Sequence, residues 1–70
     1  MQVFINTFGT YLHVKDDMFE IKVKKDKTKP AKINHIAAHK ITSFIISKGS
    51  AITTDAIALA LRHNIDIVVV

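Results

Sequence analysis

The 70-residue chain contains no cysteine. Disulfides and thiolate metal sites are therefore excluded. With them goes the stapled architecture of small secreted scaffolds, and a reducing cytoplasm is the default setting. Glycine occurs at two positions, Gly9 and Gly49, so there is no G-x-x-x-x-G-K loop to cradle a phosphate. Proline occurs once, at Pro30, where the missing backbone donor should interrupt any strand ladder. No apolar run approaches the ~20 residues of a membrane span. The opening Met1-Gln2-Val3-Phe4-Ile5-Asn6 has no basic leader followed by a long apolar core, so neither a signal peptide nor a membrane partner is expected.

Seventy residues allow one domain, here residues 1–70. A core of that size supplies only ~3–5 kcal/mol of net stability. Hydrophobic residues make up 49% of the chain, which is enough to build a core and argues against disorder. It is also a heavy load for so small a body, and part of it is expected to serve as an interface. The net charge is +4 and the pI about 9.6. The excess is concentrated: Lys22, Lys24, Lys25, Lys27, Lys29 and Lys32 face a single acid, Asp26, over that stretch. Such a cluster suits phosphate contacts. The plainer reading, and the preferred one for the segment's main role, is a solvated lysine-rich hairpin that protects a sheet edge from aggregation.

Alternation marks the strands. Val3-Phe4-Ile5 is a short apolar run that ends at Asn6-Thr7-Phe8-Gly9-Thr10, where Asn and Gly signal a turn. Tyr11–Lys15 alternates, Asp16-Asp17 is a tight turn, and Met18–Lys25 alternates again. Phe19, Ile21 and Val23 are expected on a core face, with Glu20, Lys22 and Lys24 in water. These two segments read as a β-hairpin. Ile33–Ile36 reads as a brief strand and Ala37–Lys40 as a helical turn. Phe44-Ile45-Ile46 is continuously apolar, which predicts a strand covered on both faces. After the turn Lys48-Gly49-Ser50, Ala51–Thr53 reads as a short returning strand. Thr53-Thr54-Asp55 is a helix start, and the helix should run from about Thr54 to His63 with Ile57, Ala58 and Leu61 on its apolar stripe. Asn64 suits a left-handed cap. Ile65–Val70 is a second β-branched run, so Ser43–Ser47, the helix and Asp66–Val70 form a candidate βαβ unit. The fold class expected is α+β: a small, mostly-β, sandwich-like domain with one short helix near its C-terminal end.

Residues that could carry chemistry have plainer explanations. His35 and His39 stand four apart, but Ile33–Ile36 reads as strand, no third ligand is evident, and zinc needs at least three. His13 and His63 read as boundary histidines. Serines 43, 47 and 50 lack the G-x-S-x-G elbow of an activated nucleophile. Asp16, Asp17, Glu20 and Asp26 fall at turns or on a wet strand face. No catalytic residue and no metal ligand is assigned. Tyr11, the only tyrosine, sits where an exposed ring would stack on a base; packing of the ring on the sheet edge with a wet hydroxyl is the preferred alternative.

The order of these segments resembles a known family. Gly9-Thr10-Tyr11-Leu12, a short turn and Phe19-Glu20-Ile21-Lys22-Val23 resemble the opening of the CRISPR-associated integrase, the adaptation endonuclease that inserts new spacers into CRISPR arrays. The likeness continues through Ile36, Ile41 and Phe44-Ile45-Ile46, then Ala51-Ile52-Thr53-Thr54-Asp55-Ala56-Ile57 and Ile65-Asp66-Ile67-Val68-Val69. It departs from the family's pattern at Ile36-Ala37, where a proline is usual, at Asn64, where glycine often follows the helix, and in the more basic Lys24–Lys32 loop.

The resemblance implies an N-terminal β-domain that pairs with its twin in a homodimer. It implies that the domain positions double-stranded protospacer DNA and lies beside the small second subunit of the adaptation complex, in a prokaryotic cytoplasm. The family's catalytic Glu, His and Asp bind a divalent metal, Mg or Mn, in a helical C-terminal domain. None of those positions falls in this chain, so no cofactor is expected here. The apolar ending Val68-Val69-Val70 fits a cut at the domain boundary. Tyr11, Lys22, Lys24, Lys25, Lys27, Lys29 and Lys32 are the DNA-contact candidates. Two other readings stay open: a free-standing nucleic-acid-binding β-domain, and a purely structural interaction module whose lysines only solubilise it.

Overall fold

The two-residue turn at Asp16-Asp17 sets the register of the first hairpin. Both residues are left-handed, with φ of 52° and 59°, the backbone that a twisted two-residue hairpin loop needs and that short acidic side chains tolerate. The turn joins strand β2 (Tyr11–Lys15) to β3 (Met18–Val23), with Leu12 opposite Ile21 and Val14 opposite Phe19. The computed structural model describes residues 1–24 and 28–70; Lys25 and Lys27 lie outside the described residues. The other described elements are β1 (Gln2–Ile5), β4 (Lys32–Ile36), a 3-10 turn (Ala38–Lys40), β5 (Ser43–Ile46), β6 (Ala51–Ile52), α1 (Thr54–Arg62) and β7 (Asp66–Val69).

Two sheets result. One has the order β4-β3-β2-β6 and the other β1-β5-β7. β4 runs antiparallel to β3, with Ile36 opposite Phe19. The second sheet is entirely parallel: Val3, Phe44 and Ile67 align across it, as do Ile5, Ile46 and Val69. β5, α1 and β7 thus form the expected βαβ unit. Ala51-Ile52 departs from the expectation of a strand returning on β5. It follows a turn with a left-handed Gly49 (φ 89°), crosses to the other sheet and pairs parallel with β2, with Leu12 beside Ile52.

The core lies between the sheets. Phe19 from one and Phe44 from the other are fully buried and meet edge to face, with centroids 4.9 Å apart at 70°, a favoured aromatic geometry. Leu12, Ile21, Ile5, Ile46 and Ile65 surround them. The architecture is the expected α+β sandwich with one short helix.

The Thr53 hydroxyl accepts from the Ala56 amide at 3.2 Å and starts α1, as the sequence predicts. Asn64, with φ of 54°, is the left-handed residue after it. The helix face differs from expectation. Ala56, Leu59 and Ala60 are the buried residues, while Ile57 and Leu61 are exposed. Two alanines let the helix backbone approach the core closely, and the bulkier stripe is turned outward. There Ile57 and Leu61 line a groove with Ile52, Ile65, Ile67 and Val69. Among the described residues no helix is long and apolar enough to cross a membrane.

Candidate nucleic-acid interface

Strand alternation sends Leu12, Val14, Phe19, Ile21 and Ile36 to the core side of the four-stranded sheet. The opposite side therefore carries Tyr11, His13 and Lys15 from β2, Met18, Glu20 and Lys22 from β3, and Ile33 and His35 from β4. Pairing arranges them in rows. Ile33, Lys22, Tyr11 and Ala51 make one row, and His35, Glu20 and His13 the next. Tyr11 is 39% exposed. Its ring stacks on that of His13, with centroids 4.9 Å apart at 28°. It lies on an interior strand, between β3 and β6.

The polar row corrects the expectation for Glu20. Alternation alone puts this residue in water, yet it is 4% exposed. It lies on the central strand of the face, with a histidine beside it on each flanking strand. His13 Nε2 and His35 Nε2 each donate to one carboxylate oxygen, Oε1 and Oε2, at 2.7 Å. An ionised carboxylate only accepts, so Nε2 carries the proton on both rings. The hydrogen bond from His35 is the main force holding the Glu20 carboxyl below its ordinary value, against the opposing effect of burial, with His13 adding to the lowering. His13, expected as a boundary histidine, and His35 are thus both partners of a buried acid.

The lysine candidates do not share one surface. Lys22 sits half-buried in the Tyr11 row. Lys24 and Lys29 are exposed beside the strands. Lys32 pairs with Val23, which puts it on the opposite side of the sheet from Lys22, and it too is exposed. Lys15, which the sequence reading did not single out, shares the outer face with Tyr11 and Lys22.

Two further surfaces carry exposed aromatic or apolar side chains. Phe8, at the tip of the loop between β1 and β2, is 82% exposed. The loop is tied down by a hydrogen bond from the Gly9 amide to the Gly49 carbonyl at 2.9 Å. The Phe8 ring lies over Gly49, where a side chain would collide with it. Phe8 was not recognisable as a site residue, because its seat against Gly49, 41 positions away, is a contact made only on folding. On the parallel sheet, Phe4, Ile45 and Val68 align on the side away from the core. Phe4 and Val68 are exposed there, and Ile45 is half-buried. The continuous run Phe44-Ile45-Ile46 suggests a strand covered on both sides, and the described residues cover only one.

Among the described residues no group of three or more His, Cys, Asp or Glu is placed to hold a metal ion. In the one row that has the residue types, both carboxylate oxygens are already engaged by imidazoles.

A family model described as CRISPR associated protein Cas1 matches residues 3–70. No curated protein matches the chain in sequence. Among solved structures, one titled "Casposase bound to integration product" superposes with a TM-score of 0.72 at 22% identity, over 99% of this chain and 20% of the casposase. At that identity the likeness is one of fold, and the chain spans about a fifth of the casposase's length.

Proposed function

The chain belongs to the CRISPR associated protein Cas1 family, and from that premise we propose that it is the N-terminal dimerisation and DNA-positioning domain of a CRISPR-associated integrase. The observation that carries the reading is the outer sheet face, where a partly exposed tyrosine ring lies in one row with Lys22 and Lys15 stands on the same face. Lysines meet phosphates and fix register without reading sequence, while exposed rings stack on bases of any kind. Phe8 extends this surface at the loop tip. The fold neighbour bound to an integration product supports DNA as the ligand class.

The homodimer uses the other sheet. Parallel sheets are covered on both faces in folded proteins, and the Phe4–Ile45–Val68 row is the uncovered one. A second copy of the chain is its occupant. The small second subunit of the adaptation complex docks beside this pair. Cutting and joining of DNA, with its Mg or Mn, is the task of a separate helical domain of a longer protein, and this domain contributes placement.

The test is the salt dependence of affinity for a labelled DNA duplex. Each phosphate neutralised contributes about −0.9 to the slope of log K against log salt. Engagement of Lys15 and Lys22, the two lysines of this face, gives a slope of about −1.8. A flat response would leave the lysines as solubilising groups only, and the interaction-module reading would replace this one.

A further inference from the structure

We propose that His13, Glu20 and His35 form a proton-dependent binding row for nucleic-acid phosphates on the outer face of the four-stranded sheet. The inference rests on the DNA-docking reading and deepens it by naming where a phosphate is gripped and when.

The geometry assigns each ring nitrogen a task. The Glu20 side chain is 6% exposed, and each of its oxygens holds one imidazole through Nε2. The rings themselves reach solvent: the His13 side chain is 22% exposed and that of His35 46%. Nε2 being occupied, Nδ1 is the nitrogen left to meet a ligand. In a neutral imidazole protonated at Nε2, Nδ1 is an acceptor. The row then carries the single negative charge of Glu20 and offers a phosphodiester neither a donor nor an attraction. Protonation of both rings makes each Nδ1–H a donor and turns the charge of the row from minus one to plus one.

The other groups on this face do not cancel the change. β2 adds Tyr11 and Lys15, β3 adds Lys22 and the uncharged Met18, β4 adds the apolar Ile33 and β6 adds Ala51. The two lysines are cationic in both states and lie on either side of the histidine row, Lys22 toward Tyr11 and Lys15 toward the turn. Adding two protons therefore raises the net formal charge of the face, set by Lys15, Lys22 and Glu20, from plus one to plus three.

The experiment compares the affinity of the chain for a labelled DNA duplex at about pH 8 and about pH 5.5, each over about 50–200 mM salt. The expected result is a slope of log K against log salt that is steeper by about 1–2 units at the lower pH, one phosphate contributing about 0.9. The His13→Asn/His35→Asn double variant is expected to show the pH 8 slope at both values. The His39→Asn/His63→Asn variant, which removes the remaining two histidines, keeps the difference. Equal slopes in the unaltered chain would overturn the proposal and leave the docking reading in place. Absence of salt-dependent binding at both pH values would overturn both. If the double variant does not fold, ring nitrogen spectra of the unaltered chain decide: DNA at the lower pH shifts the His13 and His35 signals, and shifts confined to His39 and His63 would refute the row.

Discussion

Replacing Phe8 by alanine separates binding from folding. The side chain is 82% exposed, so its truncation removes little buried area, and surface substitutions of this kind stay within about ±0.5 kcal/mol. For a domain of this size that is a change in Tm of about 2–4 °C at most. Stacking of one base on an aromatic ring contributes about 1–3 kcal/mol. The affinity for DNA with an unpaired end should then fall by a factor of about 5 to 150. The loop keeps its position, because the hydrogen bond from the Gly9 amide to the Gly49 carbonyl does not involve the ring. Fluorescence anisotropy on a labelled DNA with a short single-stranded tail reads the affinity, and a thermal melt reads the stability. Phe8→Tyr preserves the ring and should preserve binding. An affinity within twofold of the unaltered chain for Phe8→Ala would refute the stacking argument. A drop in Tm of 10 °C or more would show that the ring holds the loops together instead.

Three further outcomes follow from the core, the helix cap and the buried acid. Phe44→Ala deletes a fully buried ring that meets Phe19; the cost of about 3–5 kcal/mol rivals the whole stability of a small domain, so circular dichroism at 25 °C should find a large unfolded population. Thr53→Ala removes the acceptor for the Ala56 amide and should cost about 1 kcal/mol, seen as a Tm lower by about 4–8 °C. The Glu20 carboxyl is lowered from 4.5, so the unfolded chain binds its proton more readily than the folded one. Its contribution is complete above that pH and is lost as the pH falls through the lower folded value. Glu20→Gln should flatten the stability curve below about pH 4.5 in urea titrations.

Much of this arrangement is legible in the sequence where local chemistry decides it. A two-residue turn at Asp16-Asp17 fixes the hairpin register, and that register alone places His13 opposite Glu20. The Thr53 cap and the left-handed Asn64 follow from residue type. The second partner of Glu20 does not, because the pairing of β3 with β4 depends on a connecting loop whose length sets no register. Alternation correctly assigned Glu20 to the outer face, but it could not show that two imidazoles would cover it. The helix stripe misled for a similar reason: Ile57 and Leu61 fit an apolar face, and the closer packing available to Ala56 and Ala60 decided which side was buried. Nearness in sequence also overstated the lysine cluster, since Lys22 and Lys32 lie on opposite sides of one sheet. Phe8 depends on Gly49 and belongs to the contacts that only the folded chain reveals.

The most direct test of the central claim is a map of backbone amide shifts in the chain as duplex DNA is added. The account predicts perturbations along Tyr11, His13, Lys15, Lys22 and Phe8, with Phe4, Ile45 and Val68 unmoved by DNA and responding instead to chain concentration. Perturbations centred on the Phe4–Ile45–Val68 row, with the tyrosine face silent, would contradict it and exchange the two surfaces' roles.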